Sequence, residues 1–393
     1  MSTTRDHLET MAEQIKEQVI QWRRFLHENP ELSFEEVNTS RYIYETLQTF
    51  EGLELSRPTP TSVMARLIGS GPGKTLAIRA DIDALPIPEE NDFPFVSRNP
   101  GVMHACGHDG HTAILLATAK ILGGMREQVK GEIRFLFQHA EEQFPGGAEQ
   151  MVEAGVMDGV DMVIGLHLHS PLEVGYVAVS AGPSHAASDT FEITVLGKGG
   201  HAAQPHDTVD SLAVAAQVVT NLQYVVSRNT DPIEPLVLSV TKVAGGTANN
   251  VIPGAVHLGG TVRLYNPEVR KTIPALMERV IKGVTEAHGA SYEFHYTYGN
   301  APVINDNELT AKVKATLVDV FGEDKIQPLI PTMGGEDFSS FLTKAPGTYF
   351  WVGAGNVSKG IVHPHHHPRF TIDEDSLVIG VKAFTNVALS LLK

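Results

Sequence analysis

The chain has 393 residues, 42% apolar and 19% charged, enough to bury sizeable cores in two or three compact units and unlike a disordered or fibrous chain. Its 46 acidic and 30 basic side chains leave a net charge of −16, which repels phosphate backbones and anionic membranes, so neither nucleic acid nor a membrane is an expected partner. The one cysteine, Cys106, excludes a disulfide within the chain and points to a reducing compartment.

The opening MSTTRDHLETMAEQ lacks the apolar stretch of a secretory signal, and no later run approaches the ~20 apolar residues that span a bilayer. A soluble, cytoplasmic protein is expected. Apolar positions recur at helical spacing from Met11 to Leu26, and Asn29-Pro30 stops the pattern. A second helix is predicted from Phe34 to Phe50. Short β-rich runs follow, each ending in polar residues: Leu76 to Ile78 before Arg79 to Asp83, Ile133 to Phe137 before His139 to Glu142, and Met162 to Ile164 before His167. Thr112 to Leu122 and Gly147 to Glu153 read as helices between them. This alternation predicts an α/β domain with a mostly parallel sheet flanked by helices, in which ligands collect beyond the carboxyl ends of the strands.

Near Ser184 the texture changes. Phe191 to Val195, Leu236 to Val243, Ala255 to Leu264 and Tyr292 to Tyr298 read as strands, with helices predicted over Thr208 to Val226 and Thr272 to Glu286. Two β-α-β passages with one exposed sheet face describe a small α+β domain. Helices and a short strand, Thr348 to Val352, then resume the first pattern. The reading is a discontinuous main domain over 1–185 and 300–393, with an inserted domain over 186–299.

Histidine is the unusual residue, 18 in all. The stretch from Met103 to His111 packs a thiol, three imidazoles and a carboxylate around turn-forming glycines. Cys106 and His108 suit a borderline-soft cation. A nucleophilic Cys/His pair and a loop of solvated histidines beside a core cysteine are the competing readings. Glu141 and Glu142 follow a strand, where adjacent side chains point oppositely; one carboxylate can hold a metal while its neighbour faces substrate. His167 adds an imidazole at the same edge, and His169 is a weaker candidate. One or more of the histidines of His363 to His367 belongs to the site. Asp81 and Asp83 are placed to orient a ligating imidazole. Together these donors suit two cations about 3.5 to 4 Å apart sharing a water, the arrangement that serves amide hydrolysis.

Arg79-Ala80-Asp81-Ile82-Asp83-Ala84-Leu85-Pro86, MHACGHDGHTA from Met103, Glu141-Glu142, Gly165-Leu166-His167, Gly197-Lys198-Gly199-Gly200-His201-Ala202, Asn250-Val251-Ile252-Pro253, Gly260-Thr261-Val262-Arg263 and Gly335-Glu336-Asp337-Phe338 resemble, in this order, the M20 metallopeptidase family. They are most similar to its subgroup of N-acyl-amino-acid amidohydrolases, hippurate hydrolases and auxin-conjugate hydrolases. The resemblance implies two divalent ions per chain, manganese or zinc ahead of cobalt or nickel. It puts Cys106, His108, Glu142, His167 and His366 at the ligand positions, with His367 as the alternative register for the last. Glu141 takes the general acid/base position, and Asp81 and Asp109 become supporting carboxylates. The inserted domain becomes a lid and dimerisation domain whose His201 steadies the oxyanion in the other subunit's site. Asn250, Arg263, Gly334 and Gly335 would hold the substrate carboxylate or carbonyl. The implied substrate is a small N-acyl amino acid and the implied assembly a homodimer, or a tetramer. A dipeptidase or carboxypeptidase, or an N-acetyl-diamino-acid deacetylase, are the nearest alternatives. A non-catalytic metal-binding module has no use for Glu141.

Overall fold

The computed structural model describes residues 2–392. The chain divides into two compact units: Met1–Ser184, Ile304–Ile330 and Asp337–Lys393 form the first, His185–Val303 and Pro331–Glu336 the second. The short segment 331–336 thus groups with the second unit, a return of the chain that no composition change marks.

In chain order the elements begin with α1 (Ser2–Gln14), α2 (Lys16–Glu28) and α3 (Val37–Gln48). The expected first helix starts earlier than Met11 and is interrupted at Ile15, although Ile15 N still donates to Met11 O. There follow β1 (Leu53–Ser56), β2 (Val63–Ile68), β3 (Thr75–Asp81), α4 (His108–Gly124), β4 (Glu132–Gln138), α5 (Gly147–Glu153), β5 (Met162–Glu173), β6 (Val177–Ala178) and β7 (Gly182–His185). The middle of the chain contributes β8 (Ala187–Leu196), β9 (Gly200–His201), α6 (Ser211–Asn229), β10 (Leu236–Ala244), β11 (Val251–Ile252), β12 (Ala255–Leu264), α7 (Pro267–Ala287) and β13 (Ser291–Thr297). The remainder is β14 (Val303–Asn305), α8 (Asn307–Phe321), β15 (Ile326–Gln327), α9 (Ser339–Leu342), β16 (Gly347–Gly355) and α10 (Asp375–Leu391).

The first unit is built on an eight-stranded sheet in the order β1-β2-β4-β3-β5-β16-β6-β15. Its four central strands, β4, β3, β5 and β16, run parallel, β1 and β2 pair antiparallel with their neighbours, and β6 runs antiparallel to β16 and parallel to β15. This is the mixed, mostly parallel sheet expected from the strand-helix alternation. β16 is buried at every residue, as a strand covered on both faces should be. Helix α4 is buried at nearly every position from His108 to Gly123, so its sequence is apolar all round rather than striped. It packs against α2, α10 and β3. Burying α4 fixes its N-terminus, where the Cys/His cluster begins, at the carboxyl edge of the central strands.

The second unit carries a four-stranded antiparallel sheet, β10-β12-β8-β13. Phe191, Ile193 and Val195 of β8 alternate into a core with Val218 and Leu222 of α6 and Met277 and Ile281 of α7. The alternation legible in Phe191 to Val195 is this one-sided burial. Asp210 and Asn266 cap α6 and α7 by accepting from the backbone N–H groups two and three residues on.

Candidate metal centre

Gly107 precedes α4 with φ 94°, a conformation open to glycine, and this bend sets Cys106 outside the helix and His108 on its first turn. His108 Nδ1 donates to Asp83, 2.9 Å to the backbone oxygen and 3.1 Å to Oδ1. That fixes the ring's orientation and leaves Nε2 facing the cluster, buried and without a hydrogen-bond partner. His167 repeats the device, donating from Nδ1 to Leu168 O at 2.9 Å while Nε2 lies 3.5 Å from Cys106 Sγ. Its strand does not end before it, as expected, but runs on to Glu173; His167 lies beyond the last β3–β5 pair, Arg79–Gly165, level with Asp81 at the carboxyl end of β3.

β4 ends at Gln138, and Ala140 takes φ 49°. Glu141 and Glu142 therefore do not splay as strand neighbours. Glu141 Oε2 and Glu142 Oε1 lie 4.0 and 3.9 Å from the same His108 Nε2. Glu142 N donates to Asp83 Oδ2 at 3.0 Å, and Ser33 Oγ donates to the same oxygen at 2.6 Å. Asp83 thus orients one imidazole and one carboxylate loop at once. His366, with φ 65° and its N–H on Ala105 O, brings Nε2 to 3.2 Å from Glu142 Oε1. His367 goes elsewhere: it stacks on His363 at 4.2 Å and accepts from Arg369 N.

His108, Glu141 and Glu142 bring ligand atoms within 4.8 Å of one another, and so do two sets that contain the sulfur, Cys106 with His108 and His167, and Cys106 with Glu142 and His366. The sulfur is common to both. Two ligands about 2.0 to 2.3 Å from one ion at tetrahedral or octahedral angles stand roughly 3 to 3.7 Å apart, and the 3.5 Å Cys106–His167 and 3.2 Å Glu142–His366 separations fall in that range. The electrostatics agree. Burial opposes charge on His108, yet Asp81, Asp83 and Glu142 outweigh it and push its pKa up to about 10. Burial, then Glu142 and Glu141, push the Cys106 thiol up. A site that protonates both its imidazole and its thiol is short of positive charge, and the residues present fit divalent cations. The same upward shift removes the nucleophilic reading of Cys106, which needs a low pKa.

The sequence left several supporting contacts unread. His111 belongs to the support of the donors: Nδ1 lies 2.6 Å from Asp81 Oδ1, and Nε2 accepts from Leu168 N at 2.8 Å. Asp81 also takes Arg79 Nη1 at 2.7 Å, and Arg79 continues to Gln138 and Asp337. After the cost of burial, His108, His111 and Arg79 hold the Asp81 carboxyl well below the usual range. Asp109 does not support a donor imidazole. It accepts from Arg23 Nε and His27 Nδ1 of α2, both at 2.8 Å, in a separate buried cluster. At a helix's first turn, a one-residue step rotates the side chain by about 100°, and the sequence motif conceals that rotation.

His104, next to that cluster, is buried with neither ring nitrogen hydrogen-bonded. Burial above all pulls its pKa down to about 4. The unfolded chain, near 6.5, binds the proton first, so the stabilisation is complete above pH 6.5 and lost as pH falls toward 4; at pH 5 the loss is about 2 kcal/mol. Urea unfolding at pH 7 and pH 5 should show His104→Phe losing less stability than the parent by about that amount. Equal losses in the two proteins would contradict the assignment.

The other expected residues lie in the second unit. His201 of β9 pairs with Val251 of β11, and Ala202 N donates to Asn250 O, so His201 and Asn250 share one ribbon. His201 Nδ1 accepts from Ala203 N at 3.0 Å, and the side chain is exposed. Arg263 of β12 is half-buried and makes no ion pair among the described residues; burial lowers its pKa. A Cβ on Gly335 would stand 3.0 Å from Ser188 and 3.5 Å from Arg263 Nη1. Gly334 O accepts from Ala186 N at 3.0 Å. The structure thus collects Arg263, Gly334 and Gly335 around Ser188 and Ala186.

Residues 77–390 match the model of Peptidase family M20/M25/M40, and the chain belongs to this family. It is 63% identical over 305 residues to an N-acyl-L-amino acid amidohydrolase of Geobacillus stearothermophilus, covering 78% of this chain and 82% of that protein. It is 40% identical to thermostable carboxypeptidase 2 of Saccharolobus solfataricus over 98% of each chain. Among solved structures, the YXEP protein of Bacillus subtilis, described as a dinuclear metal binding peptidase from M20 family, superposes with a TM-score of 0.86 at 36% identity, covering 97% of this chain and 99% of that one. No helix among the described residues is long and apolar enough to cross a membrane.

Proposed function

We propose that the protein hydrolyses the amide bond of N-acyl amino acids, with two divalent cations held by Cys106, His108 and His167 and by Cys106, Glu142 and His366. The observation that carries this reading is the pair of donor triads sharing one sulfur beside a carboxylate, Glu141, that neither triad uses. The relatives named amidohydrolase and dinuclear metal binding peptidase support it. When bound, such cations polarise a carbonyl and lower the pKa of water. Glu141 takes the proton from the attacking water and delivers it to the leaving amine nitrogen. Asp83 and Asp81 hold imidazoles, so the donors need no reorganisation. Arg263 binds the substrate carboxylate through its forked donors, aided by Asn250 and the backbone of Gly334 and Gly335. The sulfur favours zinc and the carboxylates admit manganese, with cobalt and nickel as further occupants.

The substrate class is tested by assaying N-acetyl, N-benzoyl and dipeptide substrates side by side, with and without chelator. Chelator-sensitive turnover of the acyl amino acids is expected. Dipeptides turned over in preference would favour the second reading, a peptidase, which the carboxypeptidase relative supports.

His201 is proposed to steady the oxyanion from a second copy of the chain, within a cytoplasmic homodimer or tetramer formed through the second unit. Mixing inactive His201→Ala and Glu141→Ala chains should restore part of the activity through hybrid assemblies. Mixtures that exchange subunits and stay inactive would sink that role.

A further inference from the structure

We propose that Glu36 is a positioning residue for the hydrolytic site: its Oε1 fixes Ala140 in the left-handed conformation that turns Glu141 and Glu142 together onto the donor cluster. This deepens the reading above and rests on it for the roles of those two glutamates.

Among the described residues, three that are not glycine carry a positive φ: Phe34 at 68°, Ala140 at 49° and His366 at 65°. A residue with a Cβ occupies that region only where its surroundings impose it. Glu36 Oε1 accepts from the N–H of both Phe34 and Ala140, at 3.0 and 2.8 Å. Ala140 is held from its other side as well, since Gly147 N donates to its carbonyl at 2.9 Å. Only glycine permits that approach, because a Cβ at 147 would stand 1.8 Å from His139 O. The Phe34 ring packs edge-on against His139 at 5.7 Å. One carboxylate therefore ties the segment before α3 to the peptide where β4 ends and the catalytic pair begins.

Glu36 occupies the N-cap position of α3, where a carboxylate ordinarily bonds the first helical N–H groups, but it makes no capping bond. Glu31 does so instead, accepting from Asn38 N at 3.2 Å and Thr39 N at 2.8 Å. The helix has its cap without Glu36, and the fully buried Glu36 side chain is committed to Phe34 and Ala140. Its Oε2 is buried, and the Thr61 side chain lies close enough to interact with the carboxyl. Burial, then the Asp83 charge, push the carboxyl up to about 7. What the N–H of Ala140 meets is an acceptor at a fixed point, which an amide oxygen supplies as well as a carboxylate.

Glu36→Gln keeps that acceptor and Glu36→Asp keeps the charge but withdraws the acceptor by one methylene. Folding of each variant is read first from its melting temperature. Zinc alone is then titrated into the metal-free protein against a competing chelator, and kcat and KM are measured on the metal-loaded enzyme. Glu36→Asp is expected to bind zinc about 10 to 100 times more weakly and to lose kcat on a similar scale with KM nearly unchanged. Glu36→Gln should stay within about threefold of the parent in both. Combining Glu36→Asp with Ala140→Gly should recover part of the loss, since glycine takes the positive φ unaided. A merely structural role would lower the melting temperature and leave zinc affinity and kcat in place. A folded Glu36→Asp with parental zinc affinity overturns the proposal, and so does a Glu36→Gln as impaired as Glu36→Asp. If Glu36→Asp does not fold, the Gln arm still decides. The zinc arm uses no substrate, so failure to hydrolyse any amide would remove the functional reading without deciding this one.

Discussion

Glu141→Ala should retain both metal ions per chain and lose turnover by about 10² to 10⁴-fold, the range supplied by a positioned general acid or base. Glu142→Ala should lose metal first, and activity with it. The two side chains are adjacent and equally close to His108 Nε2, at 4.0 and 3.9 Å, so distance to that imidazole does not separate them. What does is the second neighbour: Glu142 Oε1 also lies 3.2 Å from His366 Nε2 and completes a triad with Cys106. Glu142 is further committed through its backbone N–H to Asp83. Elemental analysis after dialysis, beside kcat on the same samples, checks the division. Full metal occupancy in Glu142→Ala, or metal loss in Glu141→Ala, would reverse the two roles.

Much of this site was legible because it lies where an α/β sheet puts its ligands. The runs ending at Ile78 and Phe137 are central parallel strands, and the polar residues after them face one edge. Chemistry-bearing residues in short motifs, such as Cys106 with His108, could be read locally. The pairing of Glu142 with His366 could not, since it joins residues 224 positions apart (366 − 142). The backbone reversal at Ala140 was equally hidden. Alanine gives no hint of a positive φ, and the conformation is imposed by Glu36, 104 positions away. The expectation that Glu141 and Glu142 face opposite ways followed correctly from strand geometry, but the strand had already ended. Asp109 shows the converse failure, a residue inside a motif whose partners, Arg23 and His27, belong to another helix.

Cys106→Ala should weaken both metal sites at once, each on the order of a hundredfold or more, because it removes the one donor the two triads share. Cys106→Ser should restore an oxygen donor and shift the preference from zinc toward manganese. Proton counting gives an independent readout. At pH 7 the metal-free site holds protons on His108, with its pKa near 10, and on the Cys106 thiol, which burial and the Glu142 and Glu141 charges push up. A cation must displace both, so binding releases protons and affinity rises with pH above 7. Cys106→Ala should release one proton fewer per chain, measured from the buffer dependence of the calorimetric binding heat. Its metal-free melting temperature serves as the control for folding. Should one of the two ions bind Cys106→Ala with undiminished affinity, the sulfur serves a single site. The two triads would then have to be redrawn around separate donors, with Glu141, 4.0 Å from His108 Nε2 and in neither triad, as the carboxylate to fill the gap.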